Sequence, residues 1–139
     1  PHDNESGYWW QGENARLGSL AAAALLGAEA IGSSYTQYLD LLRYAGRQLD
    51  WILGANPYDI CFLQGFGIKN PPEYCRPKTQ VGTLVGGIAN GITGQGNDGS
   101  GIQWLGASAE TCWDNWRWVE QWLPHAAWYM VAITALARQ

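Results

Sequence analysis

The sequence predicts an all-α fold of helical hairpins joined to long glycine-rich loops. Three observations predict it. Apolar residues recur at helical spacing in three separate segments. Helix-ending and helix-starting residues, Gly32-Ser33-Ser34, Gly54 and Pro124, stand at their edges. Between the second and third segments, residues 54–117 hold 12 of the 18 glycines and 4 of the 6 prolines and show no sustained period.

Residues 1–12 are polar and aromatic with interspersed glycine and read as a loop. From Glu13 a first helix is expected, with Leu17, Leu20, Ala21, Ala24, Leu25 and Ala28 on its inner stripe. Its alanine run keeps it thin, so neighbours can approach closely. A second helix is expected from about Tyr35 to Leu53, with Tyr38, Leu41, Leu42, Ala45, Leu49 and Ile52 facing inward and Gly54 as its C-cap. A short connection between the two makes an antiparallel hairpin. Residues 54–117 read as a long loop region, and loops of that length in a compact domain are usually functional. A third helix is expected from about Leu123 to Ala137. Pro124 suits its first turn, where a missing N–H costs nothing. Ala127, Met130, Val131, Thr134 and Ala135 are its predicted inner face.

Composition narrows the function. At 139 residues the chain fits one domain. Only 14% of it is charged, against about 25% in ordinary soluble domains, so other protein is expected to cover part of its surface. The net charge is −4 and the basic residues stand singly. With no basic stripe to neutralise phosphates, nucleic acid is not an expected partner. No apolar run is long enough to cross a bilayer, and no membrane partner is expected. Cys61, Cys75 and Cys112 are an odd set without CxxC spacing. With only two histidines present, neither a disulfide framework nor a structural metal is expected. The run GGIANGITGQGNDGSG lacks the ending of a phosphate loop. Nothing implies a cofactor.

Nine tryptophans are the strongest anomaly. Indoles either fill cores or offer flat faces to flat ligands such as sugar rings. Trp9, Trp10, Trp104 and Trp113 fall in loop-like sequence and are candidates for the second role.

Several motifs occur in a fixed order. LDWILGANPYDICFLQGFG is a helix end followed by LG-x-NP, an apolar stretch and G-F-G, with Gly54, Asn56, Pro57, Gly65, Phe66 and Gly67 in register. NPPEYCRP follows, then GTLVGG at 82–87, and then Glu120 ahead of an apolar helix that carries Ala127. In this the chain resembles glycoside hydrolase family 9, the inverting cellulase family. The resemblance implies an (α/α)6 toroid, of which residues 1–139 would be the C-terminal portion of one catalytic domain. It also implies action on β-1,4-linked sugars, with Glu120 as the catalytic acid. The chain departs from the family pattern at Tyr74-Cys75, where a histidine pair is usual, although Arg76 matches. It departs again at Val119, and at His125 and Ala126. Trp116 stands where an active-site tyrosine is common, and residues 88–113 are longer than the corresponding loop. These departures bear on cellulose specificity more than on fold. Exo-acting glucosaminidases within the family also depart from the cellulase pattern, and the opening YWWQGENARLGSLA suits such a subgroup.

Inversion uses two carboxyl groups held roughly 6.5–9.5 Å apart, one protonating the leaving oxygen and one activating water. A general acid needs a raised pKa, which burial would supply to Glu120 with Trp116, Trp118 and Trp122 as apolar surroundings. The positive end of the following helix opposes that shift. The resemblance implies a base in a motif absent from this chain, so the remainder of the same domain is an expected partner. Asp98, Glu110 and Asp114 are the loop carboxylates nearest in sequence, and the two aspartates read as turn residues. Arg76 suits sugar hydroxyls or a substrate carboxylate, or else an ion pair with Glu73. Tyr8, Trp9 and Trp10 suit a sugar subsite or an aromatic plug. Glu13 suits a helix-start role or the ammonium of an amino sugar, and His125 a substrate contact or a structural one. The expected ligand is an oligosaccharide or polysaccharide. The competing functional class is a non-catalytic carbohydrate-binding relative of the same fold. A third is a helical interaction module whose tryptophans are all buried.

Overall fold

The computed structural model describes residues 11–74, 83–95, 101–106 and 115–139, and it is mostly helical. In chain order its elements are α1 (Asn14–Ile31), α2 (Tyr38–Leu53), β1 (Thr93–Gly94), β2 (Ile102–Gln103), α3 (Trp116–Val119) and α4 (Leu123–Leu136). The predicted hairpin is α1–α2. Its second helix starts at Tyr38 rather than Tyr35, because residues 33–37 are spent on turns. Gly54 caps α2 as expected, at φ 126°, with its N–H directed back to the Asp50 and Trp51 carbonyls.

Helix α1 lies between α2 and α4. Its small residues permit this: Ala21, Ala22, Ala24 and Ala28 are buried, and a Cβ on Gly18 would sit only 3.2 Å from the Trp128 Cβ. Leu20, expected on the inner stripe, is 37% exposed. The far end of the α1–α4 pair is closed by the Arg138–Glu29 ion pair at 2.7 Å. There the Tyr38 hydroxyl also donates to Gln139 Oε1 at 3.1 Å. The start of α1, the end of α2 and the start of α4 therefore share one pole, and the loop region covers it.

The inner face of α4 differs from expectation. His125, Tyr129, Ala132 and Ala135 face inward, while Ala127, Met130, Val131 and Thr134 are exposed. Apolar residues surround this helix on every side, so periodicity alone cannot select the packed face.

The loop region is held by backbone pairing and asparagine amides. Residues 86–89 run between two partners. Leu63 bridges to Ile88 on one side and Gln121 to Ala89 on the other. The Gln121 side chain extends the second pairing, accepting from Leu84 N at 2.8 Å and donating to Leu84 O at 3.0 Å. Asn56 closes the turn after α2. Its amide donates to the Trp51 and Ile60 carbonyls, both at 2.8 Å, and its oxygen accepts from Tyr58 N and Ile60 N. Asn70 Nδ2 reaches the carbonyls of Cys61, Leu63 and Phe66. These amides thus tie together backbone groups of the turns after α2, some of them buried.

Gly12 packs directly on the Asn90 backbone, where a Cβ would overlap it, whereas a Cβ on Gly46 in α2 meets nothing within 4 Å. Gly12→Ala should therefore destabilise the fold by about 1–3 kcal/mol. Gly46→Ala should stabilise it by about 0.5–1 kcal/mol through helix propensity. Urea denaturation of both variants checks this pair, and equal effects would contradict it.

Candidate functional site

The pole shared by α1, α2 and α4 gathers most of the described candidate residues, and Asn90 is its hub. Its carbonyl accepts from Asn14 N at 3.0 Å, and its N–H donates to the Glu120 carbonyl at 2.9 Å. Its side-chain amide donates to the Trp116 carbonyl at 2.6 Å. On either side, Gly91 N donates to Trp118 O and Gly12 N to Arg117 O, both at 2.8 Å. Asn14 Nδ2 adds a bond to Ala89 O at 2.9 Å. The start of α1 and the α3–Glu120 segment are thus fastened to one residue, with Glu13 between two of the fastened positions.

Glu120 follows α3 in extended conformation, φ −63° and ψ 139°, and is half-buried. Trp116 opens α3 and is also half-buried. The three tryptophans expected around Glu120 separate. Trp118 is buried, its indole N–H shared between Thr93 Oγ1 at 2.9 Å and the Gln103 carbonyl at 3.1 Å. The Arg117 guanidinium stacks on it at 4.7 Å. Trp122, in contrast, is 47% exposed. Trp104, a candidate sugar platform, meets Phe62 edge-on at 5.3 Å as part of the core.

Glu13 precedes α1 but makes no capping bond, which corrects the helix-capping reading for this side chain. Its Oε2 instead meets Arg16 Nε at 2.9 Å, with the glutamate side chain 19% exposed and the arginine 70%. Burial pushes the Glu13 carboxyl above its ordinary 4.5, and Arg16 only partly offsets that. Asn14, the first residue of α1, uses its amide across the loops.

His125 is 3% exposed. Its Nδ1 faces the Trp122 carbonyl at 3.3 Å. A carbonyl only accepts, so the proton sits on Nδ1 and Nε2 carries a lone pair. Nε2 is buried without a hydrogen-bond partner. Burial lowers the His125 pKa from its ordinary 6.5, against the raising effect of the Trp122 carbonyl.

Glu13 and His125 share a cavity of about 330 Å³ with Gln11, Trp122 and Pro124. A second cavity of about 300 Å³ is also lined by Glu13, together with Leu17, Arg47, Gln48, Trp51 and Ile92. Sequence reasoning missed Asn90, which sits in a glycine-rich run without periodicity. It also missed Arg47 with Trp51, a pair at i, i+4 spacing on α2 that could have been found. Tyr8, Trp9, Trp10, Arg76, Asp98, Glu110, Trp113 and Asp114 lie outside the described residues. Among the described residues no group of three or more His, Cys, Asp or Glu could hold a metal ion. No described helix is long and apolar enough to cross a membrane. The chain matches no family model and no curated protein.

The two perturbed groups give opposite pH dependences. The unfolded chain takes up a proton near 6.5 that folded His125 refuses, so the stability from neutral His125 is complete above 6.5 and falls as pH drops below it. The folded Glu13 carboxyl holds its proton above 4.5, so its contribution is complete below 4.5 and is lost as pH rises through the folded value. Melting temperatures between these limits should separate the variants. Glu13→Gln should leave stability rising with pH more steeply than in the parent, and His125→Gln should tilt the profile the other way. Parallel profiles for all three proteins would contradict both assignments.

Proposed function

We propose that this chain is part of an inverting glycoside hydrolase that acts on β-1,4-linked glucose or glucosamine units, with Glu120 as general acid. The observation that carries the reading is the meeting of its ordered motifs. Segments 62–64, 84–91 and 118–121, distant in sequence, pair side by side with Glu120 at the junction. A half-buried carboxyl held on a pinned backbone suits proton donation to a leaving oxygen, because its position does not have to be established during the reaction. The exposed tryptophan at 122 suits the apolar face of a sugar ring.

On this reading the three packed helices belong to an (α/α)6 toroid. Leu123, Met130, Val131 and Leu136 on the outer side of α4 are 41–82% exposed, and further hairpins of the same domain would cover them. The water-activating base would come from that remainder of the domain.

The test is hydrolysis of cello- and chitosan-oligosaccharides by the intact protein. Glu120→Gln should lower turnover by about 10²–10⁴-fold, and the product released by the parent should carry inverted anomeric configuration. Turnover unchanged in the variant would remove Glu120 as the acid. Binding without turnover in the parent would favour the carbohydrate-binding alternative.

A further inference from the structure

Glu13 is common to two cavities, and each of them has one partly accessible tryptophan, Trp122 in one and Trp51 in the other. We infer that these cavities are adjacent saccharide subsites, with the Glu13 carboxylate between them accepting hydrogen bonds from the groups of neighbouring rings. The ligand class rests on the carbohydrate reading above. The assignment to these residues rests on the cavities and their chemistry.

That chemistry is selective. Among the described residues Arg16 occupies Oε2 of Glu13, and nothing donates to Oε1. In the same cavity wall, His125 has a buried Nε2 with no partner. Both are acceptors. A ligand that satisfies the open Oε1 of Glu13 must bring a donor, which fits equatorial hydroxyls or the ammonium of an amino sugar, while Arg16 and Arg47 in the cavity walls supply donors of the protein's own. The tryptophans supply flat apolar surface for the C–H face of a pyranose. Each cavity is at the lower end of the size range of small-molecule sites, about 300–1,000 Å³. A ligand that uses both cavities must therefore be at least a disaccharide.

The experiment is calorimetric titration of the protein with glucose, glucosamine, and the β-1,4-linked disaccharide of each. At least one disaccharide should bind about tenfold or more tightly than its own monosaccharide. Glu13→Gln should weaken disaccharide binding by about tenfold or more, the loss expected for one charge-assisted hydrogen bond. Trp51→Phe and Trp122→Phe should fold as the parent does, and Trp51→Ala and Trp122→Ala should each reduce the disaccharide's advantage. If the glucosamine disaccharide binds more tightly and loses more in Glu13→Gln, the donor is an ammonium. Equal losses for the two disaccharides assign it to hydroxyls. No preference for disaccharide, or unchanged affinity in folded Glu13→Gln, would overturn the subsites. Turnover of the parent separates this inference from the glycosidase reading. Disaccharide binding that depends on Glu13, without turnover, removes the glycosidase reading alone. Turnover with no effect of Glu13→Gln on affinity removes the subsites alone.

Discussion

The two-sided pairing of residues 86–91 is the constraint on which the loop pole depends. A segment with glycine at 86, 87 and 91 has no side-chain bulk to bury at those positions, so beyond the buried Ile88 and Ala89 its place is fixed by its backbone groups. These find partners in residues 62–64, in 118–121 and at Asn14. Each such bond contributes only about 0.5–1.5 kcal/mol net, but leaving a buried donor or acceptor unmet costs about 1–3 kcal/mol. The pairing is therefore enforced by what its loss would leave unsatisfied. It also explains the close approaches here. A Cβ on Gly87 would overlap the Gln121 amide, and one on Gly91 the Asn14 amide.

The helices place charge at this pole. The N-terminal ends of α1 and α4 both face it, and each favours a negative group by about 0.3–1 kcal/mol when exposed. Glu13 adjoins the first, and Glu120 stands two residues before the Trp122 cap of the second. For Glu13 the decision between burial and ion pairing is visible. Its carboxyl is raised despite the neighbouring Arg16, so desolvation outweighs that pair.

The hairpin, the Gly54 cap and the inner residues of α2 were legible because α2 is polar on one side and apolar on the other. The packed face of α4 was not, since apolar residues run all the way around it. Glu13 and His125 were legible as candidate residue types. Their sharing of one cavity was not, because it follows from α1 and α4 running in the same direction, which depends on contacts over a hundred residues apart such as Glu29 with Arg138. Trp118 shows the limit for aromatic residues. Nothing local separates it from Trp122, four residues on. One donates its N–H to Thr93 in the interior and the other is about half exposed.

The buried polar atoms left without partners bear on what the pole can receive. Asn90 Oδ1, His125 Nε2 and Gln64 Oε1 are each buried without a hydrogen bond, and each is an acceptor. Two of them belong to residues that adjoin the candidate glutamates: Asn90 bonds to the Glu120 backbone, and His125 shares a cavity wall with Glu13. If the amides were turned, the unmet atoms would be donors. However, Asn90 Nδ2 is committed to the Trp116 carbonyl at 2.6 Å, which fixes its orientation, and the Trp122 carbonyl fixes the His125 tautomer. The acceptor surplus is therefore set by the backbone. Arg16 and Arg47 line the two cavities beside Glu13, so the acceptor surplus is confined to the unmet amide oxygens, the His125 Nε2 and the open Glu13 Oε1. The same backbone carbonyls that orient Asn90 and His125 thus fix which of their atoms stay unpaired.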